Sequence, residues 1–297
     1  MIPKKIHYCW FGGKEKPDSV KQCIESWKQY CPDYEIKEWN ESNFDIEAND
    51  YCREAYEAKR WAFVADYARL YVLYKYGGIY MDTDVEVIRP LDSLMNRNGF
   101  LCFENNHNVS IGTFGAAAHL PMVYDFLQPY KGRHFNRADG SYDTTTNLKI
   151  ITQVLVDRYG ISLNGKKQVL SGDILVLPME AFIAKFYLTG WIMRDKSTYA
   201  IHHYSATWRN SEEQRRAERQ SYYVRKYMKM SEGLIARLAM YHTVLDFYGV
   251  KGFAMKVIRH VLKKSGGGGD RPFSPLFYFL IFGRHEAAVS LFREAAV

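Results

Sequence analysis

The sequence predicts an α/β fold, a mixed sheet with flanking helices followed by a helical C-terminal region. Two stretches carry that expectation. In the first, residues 5–10 (KIHYCW) are β-prone up to the Gly12-Gly13 turn, and residues 19–30 place Val20, Cys23, Ile24 and Trp27 at helical spacing before Pro32. Residues 34–39 (YEIKEW) then alternate, which completes a β-α-β opening of the kind that builds a parallel sheet. In the second, residues 62–76 (AFVADYARLYVLYKY) lack proline and glycine and repeat apolar residues three and four apart. That is the pattern of a mostly buried helix, which Gly77-Gly78 ends before a strand begins.

The remaining elements follow in order. The strand at IYMD runs out at Asp82 into TDVEVIRPL, where Pro90 supplies a stop. Further strands are expected at residues 99–104, 110–116, 173–177 and 199–203, and helices at 121–127, 147–159 and 212–229. After Gly233 the composition turns to basic amphipathic segments, and residues 266–269 are a four-glycine run. The expected division is a main domain over 1–210, a basic helical region over 211–265, and a glycine linker with a tail over 266–297. The tail, with its PFSPLFYFLIF stretch, has the character of a fused or non-native segment.

At 297 residues, with 47% hydrophobic and 15% aromatic side chains, the chain can bury a sizeable core, which excludes a disordered class. Its net charge of +7 suits nucleic acid, an anionic membrane surface or a phosphorylated substrate. Much of the excess lies late, for example at Arg215, Arg216, Arg219, Arg259, Lys263 and Lys264, and no nucleic-acid-binding motif accompanies it, so no nucleic-acid partner is expected. The segment KGFAMKVIRHVLKK reads either as a helix lying on an anionic membrane or as a solvated basic helix. The five cysteines show no CxxC or CxxH spacing, which argues against a disulfide framework or structural zinc and favours a reducing compartment. No apolar run of signal-peptide length follows the first lysines, and LFYFLIF is too short to span a bilayer. The expected location is the cytoplasm or the periphery of the inner face of the plasma membrane.

The chemistry concentrates at Asp82-Thr83-Asp84. Two carboxylates one residue apart at a strand end sit where α/β sheets place their ligands. With the oxygens of a diphosphate they would complete an octahedral, oxygen-rich site for Mn2+ or Mg2+. An aspartate-rich turn at a strand end explains the same residues without function. Glu104 and Asn105, after a later strand, either face the ligand or only end that strand.

The stretch AFVADYARLYVLYKYGGIYMDTDVEVIRPL resembles the signature of the DXD-containing sugar transferases, glycosyltransferase family 32, whose members include capsular polysaccharide transferases and yeast mannosyltransferases. It has the family's alanine-aspartate-x-x-arginine helix, glycine pair, DXD strand and arginine-proline-leucine exit. The catalytic core of large clostridial glucosylating toxins is related. The resemblance implies a GT-A type, Rossmann-like nucleotide-sugar-binding fold, a UDP-sugar donor, a Mn2+ or Mg2+ cofactor and retention of anomeric configuration. It implies catalytic roles for Asp66, Arg69, Asp82 and Asp84, with Trp10 stacking on the donor base and Asp66, Arg69 and Thr83 contacting the donor.

The segment AIHHYSATW resembles the family's closing element. It implies that one of His202 and His203, His203 taken first, joins Asp82 and Asp84 as a metal ligand, and that Thr207 and Trp208 close over the donor. SYDTTTNLKIITQVL stands where the family places sugar and acceptor contacts, so Asn147 is taken as a donor-binding residue, with Asp143, Thr145 and Thr146 as further candidates, and Asn105, after its strand, is taken as donor-binding too. N-capping of the next helix by Thr146 or Asp143 explains the last group equally well. No residue presents itself as a nucleophile. The expected function is a metal-dependent transferase moving a hexose or N-acetylhexosamine from a UDP-sugar to a glycan or lipid-linked oligosaccharide in capsule, O-antigen or related polysaccharide synthesis. The alternatives are a protein-glucosylating enzyme and a noncatalytic nucleotide-sugar-binding module.

Overall fold

The opening β-α-β unit forms as its pattern requires. Strand β1 (Lys5–Cys9) lies parallel to β2 (Glu35–Trp39), and helix α1 (Asp18–Tyr30) connects them. α1 buries the Val20, Cys23 and Trp27 stripe, and the Trp27 indole N–H donates to the Val85 carbonyl at 2.7 Å, which fastens the helix beneath the later strand. The computed structural model describes residues 1–185, 192–205, 211–226, 242–243 and 245–246. The chain divides into two compact units, Met1–Arg209 and Asn210–Val297.

In the first unit, helix α2 (Asp50–Glu57) precedes α3 (Trp61–Tyr76), which leads into β3 (Gly78–Met81) and the short β4 (Val85–Val87). Strands β5 (Gly99–Asn105) and β6 (Asn108–Ala116) form a hairpin. Helices α4 (Pro121–Leu127) and α5 (Asn147–Tyr159) follow, then β7 (Gln168–Leu170), β8 (Ile174–Leu177) and β9 (Ala200–His202). Seven strands make one mixed sheet in the order β2-β1-β3-β6-β5-β8-β7, and β4 pairs with β9 in a second, two-stranded antiparallel sheet. The predicted α/β class with flanking helices is the observed one.

Both faces of the main sheet are covered, so its central strands are apolar on both sides. Side chains alternate between two cores. Ile6, Tyr8, Ile79, Met81, Phe100 and Cys102 pack with Trp27, Val85 and Val87 on one side. Cys9, Tyr80, Leu101 and Phe103 pack with α2, α3 and α5 residues such as Tyr51, Leu70 and Leu155 on the other. This period-two alternation is what fixes the sheet register, since a one-residue slip would exchange the two sets.

The glycine pair after α3 is a steric requirement. Gly77 caps the helix at φ +63°, and a Cβ there would lie 2.6 Å from the Ala118 nitrogen. Gly78, at φ +108°, passes so close to β1 that a Cβ would sit 2.7 Å from the Lys5 carbonyl. Only glycine lets the chain leave α3 and enter the sheet in one step.

Most expected boundaries move by a residue or two, while α2, β4 and β7 were not anticipated. The α2 stretch has too few periodic positions to announce itself, and its start depends on the Asn49 side chain accepting the Cys52 N–H. Asp82 lies beyond β3 rather than within it, and the VEV alternation after it is a separate strand in the second sheet. All five cysteines are free and buried. Among the described residues no helix is long and apolar enough to cross a membrane.

Of the second unit the structure describes helix α6 (Ser211–Lys226) and four residues further on. Tyr223 donates its hydroxyl to Asp246 at 2.7 Å, and Arg219 pairs with the same carboxylate. The end of the helix expected to reach residue 229, the KGFAMKVIRHVLKK segment, the glycine run and the tail lie outside the described residues.

Candidate active site at the end of strand β3

β1 and β3 are parallel, with His7 opposite Tyr80, so Trp10 and the Asp82-Thr83-Asp84 turn leave the sheet at the same end. β5 runs in the same direction as β3, because each is antiparallel to β6, and it brings Glu104 to that end as well. β9 reaches it from the second sheet, with His202 opposite Val85. Residues distant in sequence thus converge where the sheet opens, the place where α/β sheets bind ligands.

Arg69 organises the inner side of the site. It lies one helical turn after Asp66 on α3, its side chain only 8% exposed, and its guanidinium meets Asp82 at 3.1 Å and Asp66 at 3.4 Å. It also donates to the Ile111 carbonyl at 3.0 Å and lies over the Tyr80 ring at 4.6 Å. Burial alone would favour the neutral form, but Asp82, Tyr80 and Asp66 hold the group charged. The Asp66–Arg69 pair is largely buried, not an exposed surface salt bridge. Burial pushes the Asp66 carboxyl up to about 6 despite Arg69, and raises Asp82 as well against the pull of Arg69 and His202.

Asp84 is held differently. His202 Nε2 lies 3.2 Å from one of its oxygens and the Ser205 backbone N–H donates to the other at 2.7 Å. Burial would raise this carboxyl, but the charge and hydrogen bond of His202 and the Ser205 N–H outweigh it and hold the value at about 2. The same pairing carries His202 up to about 9 although burial opposes its charge.

Asp82, Asp84 and His202 can each offer a ligand atom within 4.8 Å of the others. The two candidate histidines divide: the His203 ring turns to Glu86 at 2.8 Å, while His202 Nε2 faces Asp84 at 3.2 Å. Consecutive residues leaving a strand point to opposite sides, and sequence alone does not say which side holds the site. The two carboxylates are oxygen donors of the kind Mn2+ and Mg2+ take, and the imidazole adds a nitrogen donor.

A glycine of β6 lies against the site. A Cβ on Gly112 would lie 2.8 Å from Asp82 Oδ2 and 3.1 Å from His202 Cε1, so the missing side chain is what lets the two ligand-bearing residues approach. A glycine inside a buried strand signals such close approach, and the SIGTFGA pattern of β6 held that clue. Tyr80, whose hydroxyl donates to Asp82 at 3.3 Å, was equally missed.

The other expected residues divide. Asn147, buried at the start of α5, donates to the Asp66 carbonyl at 2.8 Å, which links it to the site. Trp10 is half-buried, with its indole N–H given to the Lys14 carbonyl at 2.6 Å. Thr83 is half-buried on the turn between Asp82 and Asp84. Asn105 is exposed and accepts from the His107 N–H at 2.8 Å, ordering the β5–β6 turn. Asp143 is engaged by Arg133 at 2.8 Å and Arg137 at 3.0 Å, and Thr146 occupies the N-cap position of α5 without a side-chain cap bond. Thr207 and Trp208 lie outside the described residues.

Comparison with known proteins bears on this same region. Inositol phosphoceramide mannosyltransferase 3 of Schizosaccharomyces pombe is 32% identical over 143 residues, 46% of this chain and 39% of that protein. Human alpha-1,4-N-acetylglucosaminyltransferase is 36% identical over 81 residues, 27% of this chain and 22% of that protein. The chain therefore spans well under half the length of these relatives. Among solved structures, PaToxG glycosyltransferase aligns with a TM-score of 0.42 at 17% identity over 52% of this chain and 69% of that one. A glycosyltransferase involved in glycosylation of the major capsid of PBCV-1 aligns with a TM-score of 0.38 at 13% identity over 72% and 98%. Residues 17–101, from the helix after β1 to the start of β5, match the family described as the glycosyltransferase sugar-binding region containing a DXD motif, and Asp82-Thr83-Asp84 is the DXD within that stretch.

Proposed function

We propose that the chain is a GT-A type glycosyltransferase that binds a nucleotide-sugar donor with a divalent cation, Mn2+ or Mg2+, held by Asp82, Asp84 and His202. The observation that carries this reading is the convergence of those three side chains within 4.8 Å at the end of β3, two of them inside the stretch that matches the DXD region. A cation there would neutralise the charge that develops on a departing diphosphate. Arg69 fixes the orientation of Asp82 and supplies a buried positive charge beside it, and Asp66 offers a carboxylate to sugar hydroxyls. Trp10 would take the donor base and Asn147 and Thr83 its sugar or phosphates. A retaining outcome and a glycan acceptor of the capsular or O-antigen kind complete the proposal, by resemblance.

Relatives named for mannose and for N-acetylglucosamine transfer make GDP-mannose as well as UDP-hexoses and UDP-N-acetylhexosamines the donors to screen. The basic composition of the C-terminal region would suit an enzyme working beside lipid-linked acceptors on an anionic membrane surface. The test is release of free nucleotide from that donor panel with Mn2+, with Mg2+ and with chelator, alone and with oligosaccharide acceptors. Metal-dependent release from one donor is expected. Donor binding without release or transfer under any condition would instead favour a nucleotide-sugar-binding module.

A further inference from the structure

Tyr204 follows the site strand and has an uncommon backbone. Its φ is +56°, in the left-handed region that residues with a Cβ avoid, and such outliers persist only where surrounding contacts over-determine them. Contacts on both sides of it fix that conformation. Its hydroxyl donates to Glu104 on β5 at 2.6 Å. Its ring stacks on His202, with centroids 4.2 Å apart and planes 20° from parallel. The residue after it, Ser205, donates its N–H to Asp84 Oδ2 at 2.7 Å, while the residue before it, His203, donates its N–H to the Asp84 carbonyl at 2.8 Å.

We infer that Tyr204 is a positioning residue for the cation site, clamping His202 against Asp84 from behind and turning the chain so that Ser205 secures the other Asp84 oxygen. This rests on the reading of Asp82, Asp84 and His202 as the cation site. The clamp joins three strands. β9 carries His202, the start of β4 follows Asp84, and β5 supplies Glu104 as the anchor for the phenol. An imidazole ligand has freedom about two side-chain torsions, and stacking removes it. Groups that orient metal ligands in this way commonly govern affinity by about 10–100-fold when removed. Its role is exerted through His202, on which its ring stacks, and through Asp84, which the next residue's N–H secures.

The test is Mn2+ binding by the whole chain without donor, followed by electron paramagnetic resonance of free Mn2+. Tyr204→Leu removes the stack and is expected to weaken binding by about 10–100-fold. Tyr204→Phe keeps the stack and loses only the Glu104 anchor, so a smaller loss is expected. Tyr204→Phe and Glu104→Ala remove two ends of one hydrogen bond, so the double variant should bind no more weakly than the weaker single variant. In turnover, the Mn2+ concentration for half-maximal rate should rise while the rate at saturating Mn2+ changes little, a split that a general loss of folding does not produce. Wild-type affinity in Tyr204→Leu, or additive losses in the Phe/Ala pair should the Leu variant fail to fold, would overturn the inference. Asp84→Asn separates the two levels. If wild type and Asp84→Asn bind Mn2+ equally weakly, the cation site itself is wrong; if only Asp84→Asn is impaired, the positioning role alone falls.

Discussion

Two clusters of charge in the first unit differ in balance. Around Asp143, in the loop before α5, one carboxylate meets Arg133 at 2.8 Å, Arg137 at 3.0 Å and the Thr145 N–H at 3.1 Å. Although burial would raise it, these partners drive the carboxyl well below the usual range, and its accepting capacity is used within the protein. At the end of β3, three carboxylates, Asp66, Asp82 and Asp84, share one guanidinium and one imidazole. Two of the three are pushed up and one is held down. A carboxylate saturated by internal cations is architecture. An acid-rich one in a covered site is a place where a cation lowers the free energy, and pKa values driven apart in one cleft mark function.

That contrast can be broken most sharply at Asp84. Asp84→Asn should lower metal-dependent turnover by about a thousandfold or more, because the cation's several kcal/mol of charge stabilisation are lost, while circular dichroism stays that of the wild type. His202→Ala should weaken Mn2+ binding strongly and His203→Ala by no more than about threefold, since the latter ring faces Glu86.

At Asp143 the opposite profile is expected. Asp143→Ala should cost about 2–3 kcal/mol in urea unfolding, below the figure for a fully buried pair because Arg137 is half in solvent, and leave Mn2+ affinity unchanged. Its folded-state pKa is depressed, so the stability it contributes is present above the unfolded value of about 4 and lost as pH falls below that. The wild type should therefore lose stability in acid more steeply than the variant.

Asp66 gives the reverse sign. Its pKa is raised to about 6 from 3.8, so ionised Asp66 opposes folding above pH 6, and that penalty disappears as pH falls towards 4. Asp66→Asn should stabilise the metal-free chain at pH 8 by about 2 kcal/mol while abolishing transfer, and the gain should vanish near pH 4. Gly112→Ala should lower the Tm by only a few degrees, a cost of about 1–3 kcal/mol for overpacking, yet reduce Mn2+ affinity by displacing Asp82 or His202.

The sequence disclosed the site unevenly, for physical reasons. Periodicity marked α1, α3 and α5, because long apolar stripes are unambiguous, and the two glycines after α3 announced the turn that carries Asp82 and Asp84 to the sheet end. The DXD and the Asp66–Arg69 spacing were readable because they lie within one local motif. Gly112, Tyr204 and the choice between His202 and His203 were not, since each depends on a partner far along the chain. His202 reaches the aspartates only through the β4–β9 pairing, Gly112 matters only because β6 passes behind Asp82, and Tyr204 depends on Glu104, one hundred residues away. Asp143 shows the converse, a polar residue at a suggestive place whose partners are internal arginines.

The central claim, that this cleft holds a nucleotide diphosphate through a cation, is tested most directly by calorimetric titration of UDP and GDP into the wild type and Asp84→Asn with and without Mn2+. One nucleotide should bind the wild type only when Mn2+ is present and fail to bind Asp84→Asn. Equal binding with chelator, or undiminished binding by Asp84→Asn in Mn2+, would contradict the account.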